Sequence, residues 1–269
     1  MKIKTIALFS CLFFSLIGPG LLLAQEINQV IAKSKEAQKS VNSVKIEGKT
    51  ITGSIDVTDN QGLIDYSNQQ FFAAEEKDSQ LLRSVYVKDG IAYMYNGFVD
   101  SWLRFGSDIN PVGDVFNKDK VFSQFPDNFS EAGFQVEFLE EETVDGKPCY
   151  VIESKVIDSE KAARFAYEFL DRFVSPQIAV MLKENKQMLG DYLKAYMQDS
   201  QSRIWIAKNS FLILKVISRH DQLAGPGESV SIEKETSFYD FNQPVNIEIP
   251  QEALEAPLVS AEELGLKAK

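Results

Sequence analysis

The rhythm of apolar and polar positions changes several times along the chain, and each change marks an element. Residues Thr5–Leu23 are almost wholly apolar. In Ile27–Val41, Ile27, Val30, Ile31, Ala37 and Val41 recur near helical spacing while Lys33, Lys35, Glu36 and Lys39 take the other side, which predicts one amphipathic helix. From Val44 to Phe105 the rhythm shortens to Val44–Thr52, Gly53–Val57, Leu63–Ser67, Gln70–Ala74, Leu81–Val87, Ile91–Tyr95 and Trp102–Phe105, with period two or mixed apolar content. Turn formers at Asp59-Asn60, Lys88-Asp89-Gly90 and Asn96-Gly97 separate several of these runs, so successive antiparallel strands explain them most economically.

Asn110–Ser130 is less regular, with Pro111, Gly113 and Pro126 among apolar residues, and reads as a short helix flanked by loops. Phe134–Leu139 and Lys147–Val156, with a turn at Asp145-Gly146, form a natural hairpin. Ser159–Gln198 is a long helical insertion: Ala162, Phe165, Ala166, Phe169 and Phe173 recur at three or four residues, Ser159 is placed as its N-cap, and Pro176 splits it into two linked helices. Strands resume at Arg203–Ala207, Phe211–Arg219 and Val230–Phe241. The tail begins extended at Asn246, and Ser260-Ala261-Glu262-Glu263-Leu264 starts a short last helix. With about eleven strands and helices at the start, middle and end, the expected class is α+β: a strongly curved antiparallel sheet or half-barrel covered by helices.

The apolar opening run follows two lysines, Lys2 and Lys4, and ends at Ala24 before Gln25-Glu26, the order and length of a secretory signal. The expected organisation is a signal peptide at 1–24, cleaved after Ala24, and a single domain at 25–269 with the helical insertion at 159–198. Gly18-Pro19-Gly20 is expected to break a helix and leave an extended strip before the cut. Lipid anchoring at Cys11 is disfavoured because it would leave Leu12–Leu23 as a greasy tail. Export, to a periplasm or beyond, follows as an expectation. Cys149, in the strand-like run Pro148–Ile152, is expected to be a small buried thiol.

Several stretches in order resemble the LolA/LolB-like periplasmic lipoprotein-carrier superfamily, which includes outer-membrane lipoprotein-sorting proteins and lipoproteins of the LprG and LppX kind. They are the leader with helix Ile27–Val41, the strand Val44–Thr50, the hairpin Asp89–Gly97, Ser101-Trp-Leu-Arg-Phe105, Val144–Ile152, Arg203–Lys215 and Phe238–Pro250. The resemblance implies an open half-barrel closed by helices over an apolar cavity that accepts acyl chains. Its implied partners are a lipid or acylated lipoprotein and transient contact with a membrane surface. No lid arginine of the carrier type maps onto this chain, and Ser159–Gln198 is longer than a minimal carrier needs, so the guest need not be a bacterial lipoprotein.

Charge and chemistry narrow the function. Lys plus Arg number 28 against 39 Asp plus Glu, a net charge of −11 that becomes −13 when Lys2 and Lys4 leave, and such a chain repels nucleic acid. Asp56, Asp59 and Asp65 lack calcium-loop spacing, a single His and a single Cys after the leader argue against a zinc cluster, and no Gly-x-Ser-x-Gly or phosphate loop occurs. The run Glu140–Glu142 and His220 are expected at the solvated surface. No catalytic residue, metal or cofactor is expected, and the chain is read as a non-enzyme. The informative surplus is nineteen Phe, nine Tyr, five Met and two Trp. Inward wall candidates are Ile46, Tyr66, Phe72, Tyr86, Tyr93, Trp102, Phe138 and Trp205; lid candidates are Phe165, Phe169, Phe173, Met181, Met188 and Tyr192. The expected function is an acyl-chain carrier or chaperone, with an envelope sensor or assembly module that binds a protein partner as the alternative.

Overall fold

The computed structural model describes residues 19–53, 56–106, 115–118, 126, 128–173, 186–225 and 228–259. The first amphipathic stretch forms α1 (Pro19–Lys39). Six strands follow: β1 (Ser43–Thr52), β2 (Asp56–Asp65), β3 (Gln70–Lys77), β4 (Gln80–Lys88), β5 (Ile91–Asn96) and β6 (Ser101–Phe105). Next come β7 (Phe134–Phe138), β8 (Glu142–Val144), β9 (Lys147–Val156), α2 (Ser159–Phe173), α3 (Lys186–Met197), β10 (Gln201–Ala207), β11 (Ile213–Gly225) and β12 (Glu228–Tyr239). A short α4 (Gln251–Leu254) and β13 (Leu258–Val259) close the described chain.

The strands make one thirteen-stranded open sheet in the order β13-β6-β5-β4-β3-β2-β1-β12-β11-β10-β9-β7, with β8 also on β9. Every pairing is antiparallel except β13 on β6. The long strands β1 and β12 meet in mid-sheet, and Gly48 lets them close in: a Cβ there would stand 2.3 Å from the Glu235 carbonyl oxygen. This is the covered, curved antiparallel sheet expected from the sequence, with more strands than its runs suggested.

Four local expectations are corrected. Residues 19–24 are helical, because Pro19 stands at the helix start, where a fixed φ and a missing N–H cost nothing. Gly53–Val57 and Leu63–Ser67 are not two strands: β2 runs unbroken through Asp59-Asn60, whose polar side chains suit its wet portion, and Asn60 Nδ2 donates to Thr50 Oγ1 at 3.0 Å across the pair. The N-cap of α2 is Asp158 rather than Ser159; its carboxylate accepts from Lys161 N–H at 3.1 Å, and that bond holds the carboxyl below its usual range. His220 is half-buried against Tyr196, with ring centroids 4.2 Å apart, and burial pushes its pKa down. The start expected at Ser260 and most of Asn110–Ser130 lie outside the described residues.

Apolar side chains cover both faces of the sheet. On the inner face α1 lays Ile27, Val30 and Ile31 on Ile152, Ile204, Ile206 and Ile213, and farther on Val41 meets Val44 and Ile64. Each such buried aliphatic side chain contributes roughly 1.5–3 kcal/mol. On the outer face of β9–β11, Cys149, Val151, Trp205, Ala207 and Leu214 form a second, closed core with Leu139 and Val144 against it. Burial pushes the Cys149 thiol pKa up. Gly133, at φ +86°, lets the start of β7 pass under α2: a Cβ there would lie 2.5 Å from the Asp158 carbonyl oxygen.

Candidate functional site: an apolar cavity under the first helix

Between α1 and the inner face lies a cavity of about 380 Å³, within the range of small-molecule sites. Helix α1 contributes Ile31 and Gln38, and Val41 lines the cavity just beyond the helix end; the sheet contributes a floor that includes Ile64, Ile152, Ile204, Val216 and Phe238; Phe129 and Phe134 close one side. The floor exists because apolar residues sit at alternate positions on adjoining strands: Ile152 stands opposite Ile204, and Ile204 opposite Val216. The lining carries few polar groups. Ser154 and Ser202 face each other with oxygens 2.7 Å apart, Gln38 is 5% exposed, and Tyr66 is buried enough that its phenol pKa is pushed up to about 12. Ser34, between Ile31 and Gln38 on the same helix, is 1% exposed, and its hydroxyl has no partner among the described residues. Near Tyr66, Lys118 holds its ammonium 4.9 Å from the ring centroid and donates to the Lys39 carbonyl at the end of α1; burial lowers its pKa.

A lining of this kind does hydrophobic work. Among the described residues the lining places no nucleophile beside a base, and no three His, Cys, Asp or Glu side chains converge as metal ligands. Among those residues no helix is long and apolar enough to cross a membrane.

The sequence candidates divide by strand register. Tyr66 lines the cavity. Ile46 and Phe138 lie on the same face, packed into the surrounding clusters. Phe165 of α2 stands edge-on to the lining residue Phe134, with centroids 6.1 Å apart. The expected inward placement of Phe72, Tyr86, Tyr93, Trp102 and Trp205 is corrected: all five lie on the outer face. Phe71 and Val87 point inward, so their neighbours Phe72 and Tyr86 point out, where Phe72, Tyr86, Trp102 and Tyr95 form an aromatic ladder with centroids 4.7, 5.8 and 5.3 Å apart. Tyr93 is buried opposite Arg104, whose guanidinium donates to the Leu254 carbonyl of the C-terminal segment. Trp205 sits in the outer core and donates its Nε1–H to Glu142 at 2.9 Å. Met181 and the side chains of Phe169, Phe173, Met188 and Tyr192 lie outside the described residues. Gln38, Ser154, Ser202, Val216 and Phe238 were missed; the alternation of Ile152 with Ser154 and of Ser202 with Ile204 was the available signal.

No protein-family model and no curated protein matches the chain. Solved structures do. The chain is similar to the Mycobacterium tuberculosis lipoprotein LppX at 14% identity and TM-score 0.46, covering 83% of this chain and 99% of that one. It is similar to a LolA superfamily protein from Nitrosomonas europaea at 15% identity and TM-score 0.26, over 86% and 96% of the two chains. A chain of the Pseudomonas aeruginosa MucA/MucB complex aligns at 12% identity and TM-score 0.40, over 84% and 60%. At these identities and scores none of the three bears on what the cavity holds; its lining does.

Proposed function

We propose that the chain is a non-enzymatic, exported carrier or chaperone that holds the acyl chain of a lipid or lipoprotein in the cavity under α1. The observation that carries this reading is the lining itself: space of about 380 Å³, walled by side chains from α1 and the sheet with only a few polar groups. A hydrocarbon placed there gains about 0.8 kcal/mol per buried CH₂, before ordering costs are subtracted. Helices α2 and α3 serve as the moving cover, and α2 touches the wall where its Phe165 stands edge-on to Phe134 of β7.

The test is a titration of delipidated protein with an environment-sensitive long-chain probe. Binding is expected at one probe per chain, and Val216→Trp, which fills the floor, is expected to weaken it at least tenfold while the circular dichroism spectrum stays the same. Equal affinity in the two proteins would remove the cavity from the function.

One observation favours the alternative, an envelope module that binds a protein partner: the turn between β5 and β6 presents Phe98, 92% exposed, and Val99, 66% exposed. Capture of a defined partner that persists in the Val216→Trp protein and is lost on Phe98→Ser would support it.

A further inference from the structure

The inner face changes character along the strands. Beyond the apolar floor, cross-strand register places Ser154 of β9 opposite Ser202 of β10, Ser202 opposite Ser218 of β11, and Ser218 opposite Lys234 of β12. Lys234 in turn stands opposite Thr50 of β1, and Thr50 opposite Thr58 of β2. Because side chains alternate, all six share the face of Val216, Phe238, Val44 and Ile64, which line the cavity. Five hydroxyls and one ammonium therefore form a continuous row across six strands, without a carboxylate, in a chain with 39 acidic residues. The row and the cavity share Ser154 and Ser202, so the polar strip starts where the apolar floor ends.

The hydrogen-bonding capacity of this row is only partly used. Of the two hydroxyl hydrogens of Ser154 and Ser202, their mutual bond consumes one. Thr50 accepts from Asn60 and keeps its own hydrogen, and Thr58 Oγ1 is buried with no partner among the described residues. Lys234 differs from its neighbours on the strand. Glu233 and Glu235, on the outer face, pair with Arg219 and Lys215, whereas Lys234 has no carboxylate partner among the described residues.

We infer that the guest is an amphiphile with an anionic head, a carboxylate or a phosphate, seated on Lys234 and the flanking Ser218 and Thr50 while its chain lies over Val216 and Phe238. This rests on the proposed acyl-chain reading and deepens it by fixing the head's charge and the guest's direction. The exposed ammonium supplies the charge, and the hydroxyls supply donors that an apolar tail leaves unused. A charge pair at an exposed site contributes modestly, so selectivity, rather than the bulk of the affinity, resides here.

The test titrates the full delipidated chain at low salt with laurate, dodecyl phosphate and dodecanol, which share one chain length, and with inorganic phosphate alone. One or both anionic amphiphiles are expected to bind about fivefold tighter than dodecanol, and Lys234→Gln is expected to shrink that ratio below twofold. The tighter of the two identifies the head. If dodecanol matches both anions and Lys234→Gln leaves the ratio at one, the head assignment falls while the acyl-chain reading stands. If inorganic phosphate binds as tightly as dodecyl phosphate, the row is a small-anion site and the amphiphile falls. If none of the chain-bearing ligands binds, both readings fall together.

Discussion

The two faces of β9 and β10 carry similar residues to different ends. Val151 and Trp205 stand opposite each other on one side, and Ile152 and Ile204 on the other. The outer pair is sealed: the side chains of Leu139 and Val144 pack against its cluster, Glu142 accepts from the indole, and Cys149, Val151 and Ala207 are fully buried. The inner pair packs against α1 and at the same time borders the cavity, so the same kind of surface is only partly covered by protein. What separates a filled core from a cavity here is how closely the face is covered. Side chains that include Trp205, Leu212 and Leu139 fill one face, while a helix whose buried stripe includes Ser34 and Gln38 leaves room on the other. The closed face should therefore punish any change of volume, and the open face should tolerate added bulk but lose the proposed guest.

The largest effect expected from this contrast is at Trp205. Trp205→Ala removes a side chain 3% exposed and should cost about 3–5 kcal/mol, read from urea denaturation. A loss under about 1 kcal/mol would mean that the outer core is not filled as described.

Next is Glu153, on the outer face and 4% exposed between Lys155 Nζ at 2.5 Å and Arg203 at 3.0 Å. The bond from Lys155, together with those from Arg203 and Gln201, outweighs desolvation and holds its pKa down at about 2. An unfolded glutamate titrates near about 4.3, so the folded pKa is depressed. The stabilisation is therefore present above pH 4.3 or so and is lost as pH falls towards about 2. Glu153→Gln should cost about 2 kcal/mol at neutral pH and flatten the acid limb of the stability profile. An unchanged limb would place the charge balance elsewhere.

Much of this architecture was legible in the sequence. The α1 stripe, the two-helix insertion and most strands announce themselves by period, because each has a single wet side or clear turn residues. What was not legible is which side of a strand looks inward. Alternation defines an inside only when one face is polar, and here Phe72, Tyr86 and Trp102 give the outer face an aromatic ladder of its own. Inwardness then depends on pairings between residues far apart in the chain, such as Ile46 with Phe238. The same holds for the hydroxyl row, whose members run from Thr50 to Lys234 and meet only through register. The turn formers Asp59-Asn60 misled because a wet stretch of β2 tolerates them as well as a turn does.

The smallest expected effect is the sharpest test of the comparison, since it sets one added group against another. Ala207, 0% exposed in the outer core, has no room, and Ala207→Val should force neighbours off their rotamers at about 1–2 kcal/mol. Val216→Phe adds more volume on the cavity floor and should change stability by less than about 0.5 kcal/mol, or raise it, because the ring enters existing space instead of displacing Ile204 or Phe238. Denaturation midpoints of the two variants at equal m-values decide it. Equal losses would mean that the inner face is as tightly closed as the outer one, and the contrast between a filled core and a waiting cavity would vanish.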